Sequence, residues 1–411
     1  MMTRRIFLKN GSLALVSLGF TPAFIAQSAK AAEARRKILV AVFQRGAVDG
    51  LNMVVPFGER AYYASRPSIA IPRPGQGDGA VDLDGFFVLH PRMAALKPLF
   101  QRGELAIVHA SGSHDETRSH FDAQDYMESG TPGVKSTTDG WLNRVLHAQE
   151  HEKASPFRAV ALAPNLPRSL QGSAPALAIG QLSQFGVRGG GNSDMLASSF
   201  EEQYAHAADS LLRPTGSEAF NAVRLMKEAD PTRYAPAAGA EYPRSGFGEA
   251  MKQVAQIIKS DLGLEVAFTE LGQWDHHSNE GGSQGQIANR LDDFATGLAA
   301  FATDLGERMA DVVVVTMSEF GRTVKENGSR GTDHGHGNAM LVLGGPIKGG
   351  KVYGKWPGLE PNQLWEGRDL AITTDFRDVF GELVTGHLGA RDISKVFPGY
   401  TYKQKLGLLR T

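Results

Sequence analysis

Apolar residues fall along this chain in short continuous runs rather than in alternation with polar ones. KILVAVFQ (37–44), ELAIVHA (104–110), FRAVALAPN (157–165), LEVAFTELG (264–272), DVVVVTM (311–317) and AMLVLGG (339–345) are each of strand length. A continuous run of that length predicts a strand buried on both faces. Between the runs the period changes. HPRMAALKPLFQRG (90–103), EAMKQVAQIIKSDLG (249–263) and GQIANRLDDFATGLAAFATDLGERM (285–309) have helical spacing. SHFDAQDYMESG (119–130) predicts a helix with Ser119 as N-cap, and RDLAITTDFRDVFGELVTGHLG (368–389) ends as a helix. Strands alternating with helices predict an α/β fold, a doubly wound and mostly parallel sheet with helices on both faces. Gly-rich 180–195 and Pro/Gly-rich 228–248 interrupt the pattern, so 166–248 reads as a small insertion or cap beside the core.

The start of the chain fits none of this. Arg4–Arg5, Phe7, Leu8 and Lys9 precede a moderately apolar run from Leu13 to Ile25, which closes on Ala29–Lys30–Ala31. That is the layout of a twin-arginine export signal over residues 1–31, with 32–411 as the mature chain, periplasmic or secreted. The run is too short and too interrupted for a stable membrane span, and no second long apolar run follows. Four of the 43 basic residues and none of the 44 acidic ones lie in the leader, leaving the mature chain at a net charge of −5. With no basic block, nucleic acid is excluded as a partner. There is no cysteine. Any metal is therefore held by imidazole, carboxylate, carboxamide or hydroxyl groups.

In an open parallel sheet, ligands sit beyond the carboxyl ends of the strands. The segments that follow these runs are unusually polar. RGAVDGLN supplies Arg45, Asp49 and Asn52, and SGSHDETRSH supplies His114, Asp115, Arg118, Ser119 and His120. QWDHHSN supplies Asp275, His276 and His277; SEFGRT supplies Ser318, Glu319 and Arg322; GTDHGHGN supplies Asp333, His334 and His336. Asp275 and His277 are two apart, as are His334 and His336, so in extended backbone each pair shares a face and can grip one ion. Carboxylate and imidazole without thiolate suit Zn²⁺, Mn²⁺ or Fe²⁺ better than Ca²⁺. Ser119, at a helix N-terminus beside Arg118, sits where a phosphate or sulfate would bind. His90, His109 and His147 read as packed or surface residues.

RGAVDGLN, AYYASRPSIAIP, RSHFDAQDYMESG, QWDHHSN, SEFGRTVKENGSRGTDHGHGNAMLVLGG and IKGGKVYG together resemble exported bacterial domain-of-unknown-function family 1501, over essentially the whole mature chain. The resemblance implies the alkaline phosphatase and sulfatase superfamily, with an alkaline phosphatase-like sandwich that hydrolyses phosphate or sulfate esters using one or two divalent ions, zinc or manganese first. It implies an anionic small-molecule or polymer ester as substrate and the twin-arginine machinery as export partner. Carried onto this sequence, the metal ligands are Asp49, Asp275, His277 with His276 as its alternative, Glu319, and from the GTDHGHGN loop Asp333 with His334 or His336. Ser119, with Thr117 as rival, or an activated water is the nucleophile, and Arg118 and Arg322 hold the ester oxygens. The superfamily often has Asp-His after the late strand, whereas here Glu319 is followed by Phe320. One histidine is missing or comes from elsewhere, with His120 and His114 as candidates. The alternative is a non-catalytic, metal-stabilised binding or secretion-associated protein.

Overall fold

The computed structural model describes residues 36–149, 154–182, 234–403 and 405–410; the expected leader and most of 166–248 lie outside them. Twelve strands are described: β1 Ile38–Gln44, β2 Val54–Val55, β3 Val81–Asp82, β4 Val88–Leu89, β5 Leu105–Gly112, β6 Ala159–Ala161, β7 Leu177–Ala178, β8 Val266–Leu271, β9 Val312–Met317, β10 Asn338–Gly344, β11 Val352–Tyr353 and β12 Thr374–Asp375. The main sheet runs β11-β5-β10-β9-β1-β8-β6-β7, with β12 also on β5. It is open. Its centre, β9-β1-β8-β6, is parallel, and β10 alone runs against both neighbours. A second sheet, β2-β4-β3, is small and antiparallel.

The helices are α1 Gly50–Met53, α2 Arg60–Ser65, α3 Lys97–Gln101, α4 His120–Ser129, α5 Trp141–Ala148, α6 Gly246–Lys259, α7 Gln286–Leu305, α8 Phe376–Gly386 and α9 Ile393–Val396. The apolar runs are continuous because each strand is packed from both sides. Val40 and Val42 of β1 join Met251, Val254, Leu291 and Phe294 of α6 and α7 on one face. Leu39, Ala41 and Phe43 join Trp141, Leu142, Phe380 and Leu383 of α5 and α8 on the other. Side chains alternate across a strand, so one apolar strand serves two cores. Each fully buried Val, Leu or Phe side chain contributes about 1.5–3 kcal/mol.

Several boundaries move for physical reasons. The helix expected over 90–103 is a 3-10 turn, Pro91–Leu96, followed by α3, each with proline in its first turn. α6 begins three residues before 249 because the Ser245 hydroxyl accepts from Gly248 N at 2.9 Å. The helix α5 and the short strands β2, β3, β4, β7, β11 and β12 carry too few residues for a periodic signal, and the sequence pattern did not reveal them. Among the described residues no helix is long and apolar enough to cross a membrane.

What matters for function is polarity of direction. The carboxyl ends of β1, β5, β8 and β9 and the amino end of antiparallel β10 open onto one edge. The loops 45–49, 113–119, 272–285 and 318–337 meet there.

A candidate metal centre at the carboxyl edge of the sheet

One buried guanidinium gathers these loops. Arg322 Nε donates to Ala47 O at 2.7 Å, Nη1 to Thr332 O at 3.2 Å, and Nη2 to Gly46 O at 2.5 Å and Asp275 Oδ1 at 2.6 Å. Gly331 lets the 331–337 loop lie against the backbone of His277, where a Cβ would collide with that backbone. The loops after β1, β8 and β9 are thereby held in contact.

Three imidazoles and one carboxylate converge in the space this leaves. His120 Nδ1 lies 2.7 Å from Glu319 Oε1, His277 Nδ1 3.1 Å from Asp333 Oδ1, and His334 Nδ1 2.8 Å from Arg118 O. All three partners accept only, so each Nδ1 carries the proton. In the neutral ring each Nε2 is then a bare lone pair. His277 Nε2 and His334 Nε2 face each other at 2.9 Å, and Asp275 Oδ1 lies 3.0 Å from the first and 3.3 Å from the second. His120 Nε2 is buried without a hydrogen-bond partner, 3.4 Å from Asp275 Oδ2. Among the described residues, Arg322 on Asp275 is the one donor from outside the group. A shared proton or a cation must separate these lone pairs. Donors about 2.0–2.1 Å from a tetrahedral ion lie roughly 3.3 Å apart, close to the 3.3 and 3.4 Å that separate Asp275 from His334 and His120. His120, Asp275 and His334 offer ligand atoms within 4.8 Å of one another, and His277 lies beside that group, next to His334 and Asp275. The residues present fit a divalent ion.

The surroundings complete the site. Phe320 packs on the His120 and His334 rings, with centroids 4.9 and 5.0 Å away. Burial would push the Asp275 carboxyl up, but the Arg322 hydrogen bond and charge hold it at about 2. The Glu319 hydrogen bond raises His120, while burial lowers His334.

The expected site residues divide. Asp275, His277 and His334 face the common space, and His120 supplies the imidazole that Phe320 does not. The other expected ligands have different partners. Glu319 is 1 % exposed, and its Oε1 also accepts from Gly46 N and Gln124 Nε2, both at 2.8 Å. It orients His120 from behind, as Asp333 orients His277. His336 stacks on Trp365 at 4.1 Å, and burial lowers it to about 4. It does not meet His334 in the common space, and the chain bends at His336 itself. Arg322 is spent on the loops. Arg118 donates to Glu366 at 2.6 Å and Asp369 at 3.1 Å, so its contribution here is its carbonyl. The Ser119 hydroxyl caps α4, accepting from Asp122 N at 3.5 Å.

Asp49 departs furthest from expectation. Both its oxygens are bonded to the Arg66 guanidinium, with Asp49 2 % and Arg66 0 % exposed. Arg66 also donates to Asn52 Oδ1 at 2.8 Å, which takes the Tyr62 hydroxyl at 2.7 Å. Glu280, fully buried, accepts from Thr332 Oγ1 at 2.8 Å, while its Oε1 has no partner. Burial, then the Asp49 charge, raise Glu280 well above the ordinary carboxyl value; Arg66 holds Asp49 below it against burial. Arg66 binds Asp49, and burial beside that carboxylate pushes Glu280 toward its neutral form. Arg66 and Glu280 carry no local sequence signal for this pairing.

A family model described as protein of unknown function (DUF1501) matches residues 80–392. No curated protein matches the sequence. Three solved structures are similar at low identity. A protein in the alkaline phosphatase superfamily from Vibrio parahaemolyticus is 11% identical, with a TM-score of 0.33 over 77% of this chain and 62% of its own, so the chain spans under two thirds of that protein. The PsFucS1 sulfatase from Pseudoalteromonas sp. is 10% identical, with a TM-score of 0.39 over 97% of this chain and 79% of that one. The phosphonate monoester hydrolase of Agrobacterium radiobacter is 11% identical, with a TM-score of 0.34 over 89% and 78%.

Proposed function

The chain belongs to the family described as protein of unknown function (DUF1501), and from that premise we propose that it is an exported, metal-dependent hydrolase of phosphate or sulfate esters. One observation carries the proposal: the Nε2 atoms of three imidazoles gather around the Asp275 carboxylate, where, among the described residues, Arg322 is the one other donor. His120, His277, His334 and Asp275 would hold the ion. Zinc or manganese suits this donor set, and when bound supplies Lewis acidity toward an ester oxygen.

The chain's own residues supply the rest. Glu319, Asp333 and the Arg118 carbonyl fix the three tautomers and ring orientations. Phe320 keeps water from one side of the His120 and His334 rings. Ser119, between Arg118 and His120 at the start of the ten-residue α4, is the side chain we assign as nucleophile. The free amides of that helix terminus favour the ester's oxyanions. The twin-arginine pair Arg4–Arg5 supports delivery to the periplasm or beyond through that machinery.

A second reading, a metal-stabilised binding protein without turnover, draws support from Arg118 and Arg322. Both guanidiniums are committed to protein partners rather than open to an ester. Metal analysis with a panel of aryl phosphates, phosphodiesters and aryl sulfates separates the two. The hydrolase reading expects a bound ion and turnover of at least one class, the ion lost in His334→Ala and turnover lost in Ser119→Ala. Bound ion with no turnover on any ester selects the second reading. Absence of any stoichiometric ion overturns both.

A further inference from the structure

A second polar feature lies behind the loop that carries Asp275 and His277. Those two side chains face the imidazole cluster, whereas His276 between them lines a cleft of about 260 Å³ with Gln273, Gln286, Asn289 and Arg290. The cleft is a seam between the exit loop of β8 and the first turns of α7. No hydrophobic residue lines it. His276 is 7 % exposed. Among the described residues its ring has no hydrogen-bond partner, nor do the Gln273 and Asn289 carboxamides, and the Arg290 guanidinium has neither hydrogen bond nor ion pair. Gln286 Nε2 is anchored on Ser278 O at 3.0 Å and Asn279 O at 2.8 Å, leaving its carbonyl oxygen free.

The His276 ring nitrogens are not sealed from solvent, so a ligand in the cleft would exchange with water for them. The donor set says what that ligand is. A guanidinium fork favours an oxyanion. Carboxamides and an imidazole both donate and accept, which matches hydroxyl groups and is wasted on a bare anion. The volume falls just below the roughly 300–1,000 Å³ of pockets that enclose drug-sized ligands, leaving room for one small polar ring.

We propose that this cleft is a binding site for an acidic sugar, a hydroxylated ring bearing one oxyanion, with Arg290 on the anion and His276, Gln273, Gln286 and Asn289 on the hydroxyls. The site is separate from the imidazole cluster and does not depend on turnover there. Its test is binding of glucuronate, glucose and acetate to the full mature chain by isothermal titration calorimetry, before and after chelator treatment. Glucuronate is expected to bind more tightly than either control, equally well after chelation. Affinity is expected to fall by about tenfold or more in Arg290→Gln, which removes a charge with no partner among the described residues. Asn289→Ala, at an exposed position, should weaken it less, and both variants should keep the wild-type melting temperature. Acetate binding as tightly as glucuronate, an unchanged affinity in Arg290→Gln, or no glucuronate binding at all would each overturn the proposal. Binding lost on chelation would also overturn it, by moving the sugar to the imidazole cluster while leaving the hydrolase reading intact.

Discussion

Two groups of ionisable side chains sit at the same edge of the same sheet and meet opposite fates. Around Asp49 and Glu280, Arg66 provides the positive charge, burial and the Asp49 charge favour the neutral form of Glu280, and everything is buried. Around Asp275, the side chains of His120, His277 and His334 are partly exposed and arrive with their protons already given to Glu319, Asp333 and Arg118 O. The first group is closed to further chemistry. The second is short of donors. Acidic and imidazole residues are present in both, and the supply of protons and guanidinium groups decides which one can take a cation.

The largest effect that sharpens this contrast is loss of an imidazole. His334→Ala should weaken zinc binding, measured against a competing chelator, by more than the roughly 10–100-fold that a supporting residue controls. Stability without metal should change little. Affinity equal to wild type would break the contrast from the cluster's side. Next comes Arg66→Met, which strands two buried carboxyls. A loss of about 3–5 kcal/mol in urea unfolding is expected, with zinc affinity largely retained if the chain folds. A loss of zinc binding larger than the loss of stability would instead tie Asp49 to the ion.

Glu319→Gln probes the boundary between the groups, since Glu319 is as buried as Asp49 yet serves His120. Zinc affinity should fall by roughly 10–100-fold, and an unchanged value would mean that the His120 tautomer needs no carboxylate. The smallest effect is on pH. The folded-state Glu280 carboxyl is raised well above the ordinary 4.5 by burial and Asp49. The raised value means that the fold holds this proton more tightly than the unfolded chain does. Stability from that proton is full below about pH 4.5 and is lost as pH rises toward the folded value. Glu280→Gln keeps a donor toward Asp49 and cannot ionise. It should match wild type near pH 4 and exceed it at pH 8 by about 1 kcal/mol or more in urea melts. A variant less stable than wild type at pH 8 would mean that Glu280 is ionised in the fold.

The sheet and its functional edge were legible because doubly covered strands leave unbroken apolar runs, and loops beyond them have to be polar. Asp275, His277 and His334 were legible as chelating types at short spacing. Asp49 was equally legible as a type, but its partner Arg66 lies seventeen residues on, in a segment with no periodic signal. A chain shows which acceptors it has and not which donors reach them. Glu319 illustrates this: whether a buried carboxylate binds an ion or the back of an imidazole depends on His120, brought from α4 by the packing of that helix. His336 is drawn elsewhere for a local reason, since the two-residue rule holds for extended backbone and the chain bends at His336, whose ring stacks on Trp365.

The central claim is that three Nε2 lone pairs point at one place. Nitrogen-15 NMR of the histidine-labelled mature chain, titrated with zinc, reads this directly. His120, His277 and His334 should each be Nδ1-protonated, and all three Nε2 resonances should move together and saturate at one zinc per chain. An Nε2-protonated ring at any of the three, or Nε2 resonances indifferent to zinc, would contradict it.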